Sequence, residues 1–153
     1  MIRVLAAVLA LVAPAAQAAC APDVVTVKGA FGQARFTVEL ADEPEERARG
    51  LMFVEEMPTL SGMLFVYDAP QRATFWMRNT LIPLDMLFVD ETGVITTIHP
   101  EAVPLDETTI DGGDGVRAVL EINGGLAARL GIAEGDALQH PVFGPEAALP
   151  CAS

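Results

Sequence analysis

Turn-forming clusters break this sequence at short intervals, and no apolar run between them is long enough for a substantial helix. Lys28-Gly29, Ser61-Gly62, Asp68-Ala69-Pro70, Thr92-Gly93, Gly112-Gly113-Asp114-Gly115 and Glu134-Gly135-Asp136 punctuate the chain. Such spacing favours many short strands. Residues 24–27, 34–40, 63–67, 73–77, 86–90, 94–99, 117–122 and 137–140 read as eight of them. The second is the clearest case: Phe36, Val38 and Leu40 alternate with Arg35, Thr37 and Glu39, as on a half-buried strand. Met86-Leu87-Phe88-Val89 is apolar on both parities, as in a central strand covered on both faces.

Two short helices are expected between the strands. Asp42-Glu43-Pro44-Glu45 offers an N-cap carboxylate and a proline suited to a first turn, Arg47 and Arg49 suit the C-terminal end, and Gly50 stops the helix. The second is expected over residues 126–130, entered from Asn123-Gly124-Gly125 and ended by Gly131. The expectation is therefore a mainly β fold, a single-domain sandwich or a partly closed barrel. Helices this few and this short exclude a doubly wound α/β sheet.

Residues 1–18 have the layout of a secretory signal: Arg3, an apolar run from Val4 to Ala13, then Ala16-Gln17-Ala18 before the cut. That run is about half the length of a membrane-spanning helix. The organisation then reads as an N-terminal segment over 19–33 with the first strand, a β domain over 34–140 and a tail over 141–153. A periplasmic or secreted location is expected. Lipidation of Cys20 is the competing fate, against which Gln17 stands where a leucine-like residue is usual. Cys20 and Cys151, the only cysteines, either pair in an oxidising compartment or remain thiols on two tails. A bridge would close a loop of over a hundred residues, which the chain-entropy model values at about 4 to 5 kcal/mol.

The 21 acidic residues against 9 basic ones give a net charge of −12, or −13 once Arg3 leaves with the leader. Such a chain repels phosphate backbones and anionic bilayers, so neither nucleic acid nor stable membrane insertion is expected. A monomer is expected, with a small molecule or an envelope protein as partner.

Gly50-Leu51-Met52, Gly62-Met63-Leu64-Phe65, residues 75–80 (Phe-Trp-Met-Arg-Asn-Thr), Ile82-Pro83-Leu84-Asp85, Phe88-Val89-Asp90 and residues 119–125 occur in that order. On these motifs, from about Ala34 to Gln139, the chain resembles the family known as domain of unknown function 192. The resemblance implies a small, mainly β fold and an often exported protein, without an established activity. Val54-Glu55-Glu56 departs from the pattern, being acidic where members commonly carry an arginine.

The densest polar chemistry lies in the same stretch. Arg78 offers a donor fork for carboxylate or phosphate, Asn79 and Thr80 offer directed hydrogen bonds, and Trp76 offers a flat face. The plainer reading is a side-chain-bonded turn at Asn79-Thr80 with Arg78 and Asp85 paired across the loop. Glu121 sits in an apolar strand on the parity of Arg117 and Val119. With Asp85 it would supply the two carboxylates of a glycoside hydrolase. The alternative is that it accepts hydrogen bonds from Arg78 or the backbone.

His99 and His140 each precede a proline and have no nucleophile at a recognisable elbow. With two cysteines they lack zinc spacing. Met52, Met57, Met63, Met77 and Met86 are soft potential copper ligands but lie in apolar contexts suited to core filling. Glu101, Asp106, Glu107, Asp111 and Asp114 lack calcium-loop order and read as a solvated loop. No metal and no cofactor are expected. Three functions remain: a non-catalytic ligand-binding or accessory module around Trp76 to Asp85, a hydrolase using Asp85 and Glu121, or a partner-docking domain. The first is preferred, because one candidate base without a nucleophile or metal set is a poor start for an enzyme.

Overall fold

The structure is a computed structural model that describes residues 20–152. The expected signal sequence and its cut after Ala18 lie outside those residues.

Nine strands and two short α-helices are present among them. In chain order they are β1 (Val24–Gly29), β2 (Gly32–Ala41), α1 (Pro44–Arg49), β3 (Ser61–Gln71), β4 (Thr74–Phe75), β5 (Leu84–Val89), β6 (Ile95–Ala102), β7 (Ile110–Asp111), β8 (Val116–Asn123), α2 (Leu126–Leu130) and β9 (Ala137–Gln139). A 3-10 turn follows at Pro141–Phe143. Seven strands form one curled sheet in the order β6-β5-β8-β3-β2-β1-β9, and β4 pairs with β7 in a separate two-stranded ribbon. The fold is mainly β, and of the two architectures expected it adopts the partly closed barrel. No helix among the described residues is long and apolar enough to cross a membrane.

The sheet is antiparallel except where β3 runs parallel to β2, the two being joined by a crossover through α1. In α1, Pro44 occupies the first turn and the Glu43 N–H donates to the Glu46 carboxylate at 3.2 Å. Within the acidic stretch Asp42-Glu43-Pro44-Glu45, the N-cap is Glu43. At the other end, Gly50 has φ 51° and its N–H closes on the Glu46 carbonyl at 2.8 Å.

Each face of the sheet carries its own core, and the register of β5 and β8 decides which residue serves which. Leu87 and Val89 join Ala118, Leu120 and Ile122 on the face covered by α2 and the C-terminal turn. Leu84, Met86 and Phe88 join Val119, Met63 and Phe65 on the other face. All six residues of β5 are buried, as its apolar run on both parities requires.

Ser61-Gly62, which reads as a turn in the sequence, lies inside β3. A Cβ on Gly62 would stand 2.3 Å from the backbone oxygen of Glu121, so glycine is what lets β8 approach there. The acidic stretch read as a solvated loop contains β7, and Arg72 holds both Asp111 and Asp114. At the far edge β9 pairs with β1, and the Cys20–Cys151 disulfide joins the ends of the domain with 5.7 Å between their Cα atoms.

Candidate functional site

Asp85 and Glu121, the two carboxylates of the hydrolase reading, stand on opposite faces of the sheet. Asp85 is in register with Ile122, whereas Glu121 is in register with Met86 on one side and Met63 on the other. Paired residues share a face and successive residues alternate, so the sheet itself separates the two acids. They cannot act on one bond, and the Asp85/Glu121 pair is withdrawn as a catalytic set.

Asp85 is fully buried against α2. Its Oδ1 accepts from the N–H groups of Glu101 and Gly125, and its Oδ2 from the N–H of Ala127, each at 2.8 Å. Both α2 contacts are unpaired donors of a helix start, so Asp85 does from a neighbouring strand what an N-cap does locally. The expected Arg78–Asp85 pair is therefore not formed. Arg78 instead lies 3.5 Å from Glu107 and its guanidinium sits 5.3 Å from the Trp76 ring centroid.

The Asn79-Thr80 turn forms as the plainer reading expected. Asn79 has φ 53°, its carbonyl accepts from the Phe53 N–H at 2.8 Å, and its side-chain amide lies 3.9 Å from the Met52 sulfur. Thr80 is buried and its hydroxyl donates to the Arg78 carbonyl at 3.2 Å.

Trp76, Arg78, Thr80 and Glu121 are brought together in a cleft of about 40 Å³ between β3, β4, β8 and the end of α1. Leu51, Phe65 and Phe75 form its walls, Glu121 its floor, and Arg49, Trp76 and Arg78 its rim. The aromatic wall is fixed by edge-on packing, Phe65 on Phe75 at 5.1 Å and Phe75 on Phe88 at 5.8 Å. By volume the cleft has room for about three waters, or for one small polar group of a ligand.

Glu121 is the chemically unusual group. Burial alone, with no hydrogen bond from a described residue, acts on its carboxyl, contrary to the expectation that Arg78 or backbone donors would satisfy it, whereas the fully buried side-chain atom left without a partner among the described residues is Arg117 Nη1. That burial raises the pKa of Glu121 from 4.5 to about 8, so it is a neutral acid at neutral pH and can donate one hydrogen bond. Tyr67 is pushed up by its own burial; Arg47, 5.6 Å from the Tyr67 ring centroid, opposes the rise and Glu121 adds to it. Arg47 itself is spent on the carbonyls of Asp42 and Val66, the latter at 2.9 Å. Arg49 and Arg78 are the rim cations left facing solvent.

Sequence reasoning missed Arg49, Leu51, Phe65 and Phe75, because dipole complementarity explains an arginine at a helix end and core packing explains the rest. The signal that pointed to the place was one charged residue inside the apolar strand at residue 121.

The family model for domain of unknown function 192, described as uncharacterized ACR, matches residues 24–140. The chain belongs to this family. Two solved structures share its fold. A protein of unknown function from Novosphingobium aromaticivorans DSM 12444 is 50% identical, with 75% of this chain and 82% of that chain covered and a TM-score of 0.74. A protein from Sinorhizobium meliloti 1021, named as a candidate transcription regulator, is 42% identical, with 80% and 95% covered and a TM-score of 0.75. Among curated proteins none matches the chain. In this DUF192 protein the two quoted motifs have different duties: Pro83-Leu84-Asp85 braces α2, while the stretch from Trp76 to Thr80 borders the cleft.

Proposed function

We propose that this DUF192 protein is an exported, non-catalytic binding module whose cleft takes the carboxylate or carbonyl end of a small ligand. The supporting observation is the buried carboxylic acid of Glu121, unpartnered among the described residues, at the floor of an apolar-walled cleft. An acid so poorly solvated costs stability, and a ligand oxygen in the cleft would give it a hydrogen bond that no described residue supplies. The leader sequence supports the location after export.

Two arginines at the rim favour an anion over a neutral sugar. Arg78 is available for this, because its contact with Glu107 joins side chains 54% and 60% exposed and such pairs contribute about 0–1 kcal/mol. Regulation by DNA contact, suggested by the name of the Sinorhizobium relative, has no support in a chain with 21 acidic residues against 9 basic ones.

Trp76, at the cleft rim, is the only tryptophan, so its fluorescence reads occupancy. Titration with acetate, propionate and succinate should give saturable binding at pH 6 that weakens at least about tenfold by pH 9.5, where Glu121 has lost its proton. Glu121→Gln keeps a donor and should bind without that pH dependence. Arg78→Ala should weaken binding while leaving the urea midpoint nearly unchanged. Binding that is absent, or equally strong at both pH values in the native protein, refutes the proposal.

A further inference from the structure

Six large apolar side chains are exposed among the described residues, and five of them, Phe53, Trp76, Leu81, Val103 and Leu105, lie on three neighbouring loops, of which Trp76 borders the cleft. Backbone hydrogen bonds lace these loops together. The Phe53 N–H donates to the Asn79 carbonyl at 2.8 Å, the Leu105 N–H to the Thr80 carbonyl at 3.1 Å, and the Met77 N–H to the Asp106 carbonyl at 2.8 Å. One of the four non-glycine residues with positive φ among the described residues, Glu101, lies in β6, and the other three lie on these loops, Phe53 at 65°, Asn79 at 53° and Leu105 at 64°.

Asparagine tolerates that region, but phenylalanine and leucine do not adopt it without strain. Phe53 and Leu105, both held in that region, are 64% and 60% exposed. Single exposed apolar residues are ordinary; five on loops joined by hydrogen bonds, two of them on strained backbone, mark an interaction surface.

Charge selects the occupant. Glu55 and Glu56 closely follow Phe53, Asp106 and Glu107 follow Leu105, and all four are exposed; they outnumber the two exposed arginines nearby, Arg49 and Arg78, the latter already 3.5 Å from Glu107. A second copy would set these acids against themselves, and an anionic bilayer would be repelled by them. We propose that this rim docks a segment of another protein that presents apolar side chains interleaved with lysine or arginine. The apolar contacts supply the affinity, and the acids supply the encounter rate and the choice of partner. The surface is separate from the carboxylate-binding floor, so either reading can fail alone.

The test uses the mature protein and a short peptide alternating leucine and lysine, read by Trp76 fluorescence. The expected result is saturable binding that weakens with added salt, with no saturation by the leucine and glutamate counterpart or by phosphatidylglycerol vesicles. The double variant Phe53→Asn, Leu105→Asn should lose at least about tenfold in peptide affinity, the scale of a truncated interface anchor. Asparagine fits the left-handed backbone, so this variant should melt no earlier than the native chain and still bind acetate. The control Glu91→Gln, Glu146→Gln removes two charges from loops that meet at Thr92, away from the rim, and should bind like the native protein. Absent saturation by the leucine and lysine peptide, equal affinity in the asparagine variant, equal loss in the control, preference for vesicles or the acidic peptide, or dimerisation of the free protein each overturns the proposal.

Discussion

Replacing Glu121 by glutamine should make this protein more stable at neutral pH, by an amount that grows as the medium becomes more alkaline. The folded pKa of about 8 stands above the 4.5 of the unfolded chain, so between these values the folded protein holds one proton more. Stability from this group is complete below pH 4.5 and falls as pH rises, by about 1.4 kcal/mol per unit, until about pH 8. The glutamate therefore costs about 3 kcal/mol at pH 7 and about 5 kcal/mol at pH 9. Glutamine has the size of the neutral acid and no proton to lose, so the variant and the native chain should coincide near pH 4.5 and diverge above it. Urea unfolding of both proteins at pH 5, 7 and 9 measures the difference, and all other titrating groups cancel in it. Parallel pH profiles, or a glutamine variant less stable than the native protein at pH 7, would show that Glu121 is not a buried, uncompensated acid.

Asp85→Ala should cost about 3 kcal/mol in the same assay, since it strands three N–H donors that the carboxylate now satisfies, one buried and two partly buried, two of them at the start of α2. Reducing the Cys20–Cys151 disulfide, which spans 131 residues, should lower stability by up to about 5 kcal/mol, the chain-entropy value for such a loop. Urea midpoints with and without reductant give the number, and an unchanged midpoint would refute it.

Most of the sheet was legible in the sequence, because alternation and turn residues act locally and set strand positions without knowledge of the fold. The alternating stretch at 34–40 and the doubly apolar one at 86–89 became β2 and β5, each buried as its pattern required. Gly62 misled for the opposite reason. Its absent side chain serves a contact with the Glu121 backbone, and glycine in a loop looks the same in the sequence. β7 was invisible because two residues carry no period, and only pairing with β4 defines them.

The candidate site was half legible. Trp76, Arg78, Thr80 and Glu121 do share a cleft, but Asp85, closer in sequence to the first three than Glu121 is, faces away. Which face a residue takes depends on the register of two strands over thirty residues apart, and neither strand states that register by itself. Arg49 and the aromatic wall were hidden by sufficient local explanations.

The disulfide makes the domain a covalent ring, and a ring differs from a line in what a single cut can do. A protease that severs one exposed loop, such as the stretch after Val103, leaves two pieces still tied at Cys20 and Cys151. β1 remains paired with both β2 and β9, so the severed ends stay close to their partners and the nicked molecule keeps its shape. Release of a fragment requires a second cut or a reductant. Under proteolysis, survival then depends on paired events rather than single ones.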